Sequence, residues 1–204
     1  MSSEAIYLWK FSWKYMNKRP FITLSFIVFT IAINFLIPTF DNSLYGVEGH
    51  PAKWLSFMPA EPLRSWGGSL ILSPFLHLNL KHLFINLIFF VPLGMMIERK
   101  NSGPHLALCI LIIHVEVLLL LIITHFFWAL DGKAFLGLSH IIMGLFSYWA
   151  IMQKKYFMLV LVSAVITYSQ WQTENPLTLI AHGLGLVAGF ELFVLGHLWE
   201  KSRS

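Results

Sequence analysis

A serine and a histidine in two separate apolar segments are the residues of this chain best suited to chemistry. Ser139 follows Gly137 and Leu138, and His182 precedes Gly185 and Gly189. We expect each to lie about two turns inside an apolar segment, so that they meet only if the helices that these segments form pack closely, which glycines allow. Because a histidine base activates a serine hydroxyl as a nucleophile, the pairing indicates a serine hydrolase that works inside a membrane.

The composition agrees with this setting. Of the 204 residues, 57% are hydrophobic and 12% are charged, which is typical of membrane proteins. The net charge of +4 comes from basic residues between apolar runs. Their placement indicates how the chain is oriented in the membrane, and we expect no nucleic-acid partner. Nine histidines accompany one cysteine and no His-Glu-x-x-His motif, so we expect neither a metal nor another cofactor.

Six apolar segments have about the length needed to cross a hydrocarbon core, which is about 20 residues. They are residues 21–38, 75–97, 106–130, 135–152, 156–170 and 177–199. We therefore predict an all-α membrane protein with six transmembrane helices. Its membrane domain spans residues 21–199, after a short segment at 1–20 and before a tail at 200–204.

The first connection of this predicted bundle, residues 39–73, is long. It contains Trp54, Phe57 and Trp66 among prolines and glycines. Such aromatic side chains favour the membrane interface. We expect this first outer loop to lie partly sunk in the outer leaflet.

Lysines and arginines are concentrated on one side of the predicted domain. Ten lie on one side (Lys10, Lys14, Lys18, Arg19, Arg99, Lys100, Lys154, Lys155, Lys201 and Arg203) and three on the other (Lys53, Arg64 and Lys133), with Lys81 at a helix mouth. By the positive-inside rule both termini are cytoplasmic. The second, fourth and sixth segments then enter from the extracytoplasmic side of what we expect to be a bacterial inner membrane.

Polar residues on these three segments share a depth. Ser139 lies six residues after Lys133, and His182 lies seven residues after Asn175. At a rise of about 1.5 Å per residue, both fall within roughly 10 Å of one surface. We therefore expect them to lie in the same layer.

The second segment adds a polar stripe in this layer. Asn79, His82 and Asn86 stand at positions i, i+3 and i+7, which places them on one helical face. Such a stripe either bonds neighbouring helices together or holds donors for an oxyanion. The residues alone leave both interpretations open.

Taken in order along the chain, these motifs resemble the rhomboid family of intramembrane serine proteases. The matching pieces are His77, His82-x-x-x-Asn86, Glu98-Arg99, Gly137-Leu138-Ser139 and Ala181-His182-x-x-Gly185-x-x-x-Gly189. The resemblance implies that Ser139 is the nucleophile and His182 the general base. It also implies an oxyanion hole formed by His82, Asn86 and the backbone N–H at the serine. The expected substrate is a single-span membrane protein, cut near its extracytoplasmic end.

The chain departs from the family at two positions beside the serine. His140 stands where the family usually has a small residue, and Met143 where many members have an aromatic ring that stacks on the base. The His140 imidazole could crowd the substrate, could add a donor, or could point at lipid headgroups, and we expect the last. Met143 would orient His182 less firmly, although its sulfur packs well on rings.

Two alternative functions remain open. Gly137-Leu138-Ser139 together with Gly144-Leu145-Phe146 and the compact size also resemble rhombosortases, which process a glycine-rich C-terminal membrane tag on exported proteins. Alternatively, the substitutions at His140 and Met143 point to an inactive member that binds transmembrane clients.

His114 and Glu116 on the third segment are i and i+2, so they cannot share a face, and we expect each to make a separate structural hydrogen bond.

Overall fold

The computed structural model describes residues 20–37, 54–128, 134–171 and 176–202. Within these ranges there is no β-strand, only an isolated antiparallel bridge between Phe57 and Phe135. Six longer helices each coincide with one predicted segment: α1 Phe21–Leu36, α2 Leu80–Lys100, α3 Gly103–Trp128, α4 Ser139–Met152, α5 Tyr156–Trp171 and α6 Pro176–Lys201. The prediction of an all-helical fold is confirmed.

Three of these helices are long and apolar enough to cross a membrane. The corresponding stretches are Leu80–Lys100, Gly103–Trp128 and Leu177–Trp199, whereas the apolar helices at Phe21–Leu36, Ser139–Met152 and Tyr156–Ile166 are shorter. The count of six spans therefore stays a prediction. The same holds for the interfacial position of the first loop, since its residues 38–53 lie outside the described ranges.

Two helices begin later than the apolar runs suggest. Residues Ser73–Phe75 form a 3₁₀ turn, and Asn79 is the N-cap of α2, where its side chain accepts a hydrogen bond of 2.8 Å from the backbone N–H of His82. This is a preferred use of asparagine. The prediction that Asn79 belongs to a helical stripe is therefore wrong, because its oxygen already caps the helix.

The start of α4 is displaced for a different reason. Phe135 exchanges two backbone hydrogen bonds with Phe57, at 2.7 and 2.9 Å, and Gly137 has a φ of +103°. Neither residue can continue a helix in this conformation. Ser139 is therefore the first residue of α4, which begins four residues after the start of the predicted segment 135–152.

Glycines bring α6 into backbone contact with α4, as predicted. A Cβ atom on Gly185 would overlap the carbonyl oxygen of His140, and one on Gly189 would overlap that of Gly144. The contact of Gly189 with Gly144 lies four residues further along both helices than the contact of Gly185 with His140, so α4 and α6 are parallel. Gly144 also faces α3, because a Cβ atom there would lie 2.6 Å from Cγ2 of Ile113.

The second helix runs in this direction too. His82, near its start, lies against Gly137, just before α4 begins. At the other end Asn101, its C-cap, donates a 3.1 Å hydrogen bond from Nδ2 to the hydroxyl of Tyr148 in the last part of α4. The N-terminal ends of α2, α4 and α6 therefore meet at one end of the bundle.

The first helix is tied to α2 at both of its ends. Glu98 accepts hydrogen bonds of 2.8 Å from the N–H groups of Ile22 and Thr23, and one of 2.7 Å from the Thr23 hydroxyl. A carboxylate at this position stabilises the unpaired donors that begin a helix. At the opposite end, Asn34 donates to the carbonyl of Phe75 and accepts from the N–H of His77 at 2.9 Å. The segment that leads into α2 is thereby held in place.

Candidate active site at the N-terminal ends of α2, α4 and α6

Gly137 forms the turn that presents Ser139. Its N–H donates a 2.9 Å hydrogen bond to the carbonyl of Ser73, and its carbonyl lies 3.1 Å from Nδ1 of His140. A Cβ atom on Gly137 would lie 2.9 Å from Cε1 of His82. Glycine is required here both by its φ and by the close approach of that ring.

The same turn brings the two predicted oxyanion donors to the serine loop. The Cβ position of Gly137 is 3.4 Å from Nε2 of His82 and 3.8 Å from Nδ2 of Asn86. Asn86 is buried, and Ser139 is partly exposed, two residues further along the chain. His82 and Asn86 therefore flank the start of α4, as their spacing on one helical face predicted.

His182 reaches this layer from α6. It is the seventh residue of that helix and is buried. It precedes by one turn Gly185, which packs on His140. Its ring lies close enough to His82 and His140 to interact electrostatically with both. Ser139 and the three other predicted site residues are thus gathered at one end of the bundle.

Several polar atoms at this site have no hydrogen-bond partner among the described residues. They are Nδ2 of Asn86, Nδ1 of His82 and both ring nitrogens of His182. Buried polar groups in folded proteins are normally paired, so a cluster of unpaired ones marks a place where a polar ligand could bind. Because neither ring nitrogen of His182 has a partner, His182 makes no hydrogen bond to Ser139 in this structure.

No acidic side chain of the described residues is placed to orient His182. Glu191, nine residues further along α6, is exposed, and its carboxyl lies within hydrogen-bonding reach of Glu116 on α3. His114 bonds elsewhere, with Nε2 lying 2.6 Å from the carbonyl oxygen of Leu70. The prediction that His114 and Glu116 make separate contacts is confirmed.

The position of His140 corrects an expectation. Its side chain is fully buried, its ring packs edge-on against Phe135 at 4.9 Å, and Nε2 lies 2.9 Å from Nδ1 of His114. The prediction that it points at lipid headgroups is wrong. A buried imidazole needs hydrogen-bond partners, and it finds them at His114 and at the carbonyl of Gly137.

Met143 occupies part of the contact between α4 and α6. It is buried, and its Cβ atom lies 3.3 Å from the Cβ position of Gly185. This places methionine one turn along from the layer that holds His182. Its structural role is therefore to pack the two helices that carry the serine and the histidine.

His77 supports His82 from the segment before α2. Its Nδ1 donates a 3.1 Å hydrogen bond to the carbonyl of Phe75, and its ring is edge-on to that of His82 at 5.1 Å. Burial, with a smaller contribution from His82, lowers the pKa of His77 to about 3. His77 is therefore neutral near pH 7, with its proton on Nδ1.

Two supporting residues were not recognised as such in the sequence: Asn34, which holds the segment before α2, and His140, which bonds to His114. His114 was expected to make a structural hydrogen bond, but its partner was not predicted. The available signal was the presence of polar side chains inside apolar runs, where they are costly and usually paired. The sequence does not show which partners they have.

The described helices thus form a bundle of apolar helices with a serine, two histidines and an asparagine at one end, which defines a helical membrane protein with a buried polar site. Residues 64–199 match the sequence profile of the Rhomboid family, described as the rhomboid domain. The match covers more than half of the chain, so the chain belongs to the rhomboid family. Members of this family are generally intramembrane serine proteases. No curated protein matches the chain.

Proposed function

We propose that this protein is an intramembrane serine protease in which Ser139 is the nucleophile and His182 the general base. The observation that carries the proposal is the gathering of Ser139, His182, His82 and Asn86 from three different helices at one end of the bundle. Residues so far apart in sequence meet there only because glycines allow α4 and α6 to touch. Family membership supports the same reaction class.

The proposed reaction follows the chemistry of a serine and histidine pair. The Ser139 hydroxyl attacks the carbonyl carbon of the peptide bond while His182 takes its proton. The C–N bond then breaks as His182 returns that proton to the departing amine, which leaves an acyl ester on the serine. A water molecule, deprotonated by the same imidazole, hydrolyses the ester. The unbonded ring nitrogens of His182 are available for both proton transfers.

Charge that develops on the substrate carbonyl needs donors. Nδ2 of Asn86 has no partner in the described structure and is directed at the turn before α4. We assign it to the oxyanion hole together with the His82 ring and the backbone N–H of Ser139. Because Ser139 is the first residue of α4, the positive end of the helix dipole adds to the stabilisation of this oxyanion.

We infer that the substrate is a single-span membrane protein. The site lies at the ends of the helices that carry it, so a substrate helix would present its carbonyl where it emerges from the hydrocarbon core. The distribution of lysine and arginine supports an arrangement with both termini cytoplasmic and the site near the extracytoplasmic face. A bacterial inner membrane is the location that this topology favours.

The arrangement of His140 bears on the alternative of an inactive client-binding protein. Its imidazole is engaged by His114 and by the carbonyl of Gly137, so it is fixed in the interior of the bundle. This supports an active site in which the bulky side chain causes no obstruction. A rhombosortase would use the same residues to cleave a C-terminal glycine-rich tag. It would therefore differ from the proposed protease in the substrate that it cleaves.

Labelling by a fluorophosphonate probe tests the proposal, because such probes react with activated serines. In detergent micelles we expect the wild-type protein to be labelled and Ser139→Ala to be unlabelled. Ser147→Ala is a matched control, since Ser147 is a buried serine two turns along the same helix. His182→Asn should also abolish labelling by removing the base.

The outcomes separate the three functions. Equal absence of labelling in wild type and Ser139→Ala would contradict the protease and support the client-binding alternative. With a labelled wild type, cleavage of a single-span substrate is then compared with cleavage of one that carries a C-terminal glycine-rich tag. Cleavage of the tagged substrate alone would identify a rhombosortase.

A further inference from the structure

A chain of two imidazoles connects the end of the first outer loop to the turn before Ser139. It runs from the carbonyl of Leu70 to Nε2 of His114 at 2.6 Å, from Nδ1 of His114 to Nε2 of His140 at 2.9 Å, and from Nδ1 of His140 to the carbonyl of Gly137 at 3.1 Å. Both histidines are buried. The chain therefore joins three parts of the fold: the short helix Gly68–Leu72, α3 and the start of α4.

The number of protons in this chain is limited. Its three contacts require three N–H groups, because a carbonyl oxygen only accepts, but two neutral imidazoles carry only two. A neutral pair therefore makes two of the three hydrogen bonds. Bonds to both carbonyls would leave two ring lone pairs facing each other at 2.9 Å, so the favoured arrangements keep the ring-to-ring bond. Either Nδ1 of His140 donates to the carbonyl of Gly137 and Nδ1 of His114 donates to His140, or Nε2 of His140 donates to His114 and Nε2 of His114 donates to the carbonyl of Leu70.

A third proton would complete all three bonds but would place a positive charge in the interior. The titratable group that faces His140 from α6 is His182, with His82 of α2 behind it. Both are bases, so they oppose an added charge. On α3 the nearby carboxyl of Glu116 is directed at Glu191 instead. The pair is therefore an element with two neutral arrangements and a protonated form reached on acidification.

The arrangement of the pair determines whether the Gly137 peptide is held. The N–H of Gly137 is bonded to Ser73, and its carbonyl has the His140 ring as its partner. The ring of His82 lies against the α carbon of the same glycine. When His140 donates, the turn is fixed from three sides, and the backbone that places Ser139 opposite His182 is fixed with it.

We propose that His140 and His114 are positioning residues for the serine site, and that the direction of their shared protons determines whether the turn before Ser139 is held for reaction. This rests on the proposed serine protease function. The arrangement in which His140 donates to Gly137 is the reactive one. The arrangement in which His114 donates to Leu70 releases the turn and couples the site to the end of the first outer loop.

The test compares four variants in detergent micelles, using the second-order rate of fluorophosphonate labelling from about pH 5 to about pH 9, the range in which histidines titrate. They are His140→Ala, His140→Asn, His114→Ala and the control His105→Ala. His105 links α3 to the other end of α4 through a 2.9 Å contact with the hydroxyl of Tyr148. Its loss weakens the same pair of helices without touching Gly137.

We expect His140→Ala to be labelled about tenfold or more slowly than wild type, because the serine loses its alignment. His140→Asn should recover most of the rate, since its amide can donate to the Gly137 carbonyl, but its rate should vary less with pH. In His114→Ala the midpoint of the pH dependence of the labelling rate should differ from that of the wild-type protein. His105→Ala should match wild type in rate and pH profile even if it unfolds more easily.

Folded His140→Ala that is labelled at the wild-type rate with the wild-type pH profile would overturn the proposal. If that variant does not fold, His114→Ala with an unchanged profile would overturn it equally. A wild-type protein that is not labelled would refute the protease function. The proton chain would then be tested by ¹⁵N NMR of the two histidines in micelles. In these spectra the Nε2 signal of His140 should shift in His114→Ala, because that nitrogen loses its hydrogen bond to His114 in either arrangement, and an unchanged spectrum of His140 would overturn the chain.

Discussion

Substituting alanine for glycine along α6 tests the packing that brings His182 to Ser139. In Gly189→Ala the new Cβ atom would lie 2.8 Å from the carbonyl carbon of Gly144 and 3.0 Å from its Cα atom. Carbon atoms in contact are normally about 3.5–4.0 Å apart. Because the opposing atoms are backbone, they cannot rotate away, and we expect the two helices to separate by roughly 1 Å.

This separation has a cost in stability and a larger one in rate. Overpacking typically costs about 1–3 kcal/mol, from which the better helix propensity of alanine subtracts up to about 1 kcal/mol. We therefore expect a net loss of about 1–2 kcal/mol in the free energy of unfolding for Gly189→Ala. The shift also moves His182, and a misplacement of 1 Å at a reacting group can reduce the rate by about a hundredfold.

Other glycines of the same helix provide matched controls. A Cβ atom on Gly183 or Gly196 has no atom within 4 Å, so the same substitution there should leave the labelling rate unchanged. Stability should be unchanged or higher by up to about 1 kcal/mol. Gly183 is the stronger control, because it directly follows His182 in sequence.

The assays are fluorophosphonate labelling and unfolding in mixed micelles followed by tryptophan fluorescence. Gly185→Ala should resemble Gly189→Ala, since its Cβ atom would overlap the carbonyl of His140. The reasoning would be refuted if Gly189→Ala matched Gly183→Ala in both stability and labelling rate. That result would mean that backbone contact between α4 and α6 does not position the site.

Three further substitutions test the supporting contacts. Glu98→Ala removes a carboxylate that accepts three hydrogen bonds, and we expect a loss of about 3 kcal/mol or more in the free energy of unfolding, with a smaller loss for Glu98→Gln. Gly137→Ala forces a side chain into a conformation with φ of +103° and against His82, so labelling should slow by at least about tenfold; a wild-type rate would contradict the assigned turn. For His77, the folded pKa of about 3 lies below the unfolded value, so its stabilising effect is complete above about pH 6.5 and is lost as the pH falls towards 3. Between pH 7 and pH 4, the free energy of unfolding of the wild-type protein should therefore fall by about 3 kcal/mol more than that of His77→Asn, as measured by unfolding at each pH.

The helices were predictable because apolar runs of sufficient length are helical in a membrane environment. The six predicted segments each match a helix, yet two helices begin four or five residues later than predicted. Hydropathy cannot locate these starts, because they depend on a cap and on a backbone pairing. At α2 the cap is Asn79, and at α4 the pairing is that of Phe135 with Phe57.

The residues of the candidate site were also identifiable from sequence. Spacing of i, i+3 and i+7 places His182, Gly185 and Gly189 on one face whatever the rest of the fold does. Small residues on that face predict a close helix contact, and the structure has it. The direction of His140 was not predictable, because a residue in the first turn of a helix can face either the interior or the lipid.

From the sequence by itself, composition and motif resemblance indicated the class of this protein, apolar runs indicated the order of its helices, and local periodicity indicated the face shared by His182, Gly185 and Gly189. Only the tertiary structure decided that His140 turns inward to His114 and that Gly137 is held from three sides. The physical reason is that a buried imidazole goes where its nitrogens find partners. One partner of His140, His114, lies on another helix, 26 residues away in sequence, and its position exists only once the helices are packed.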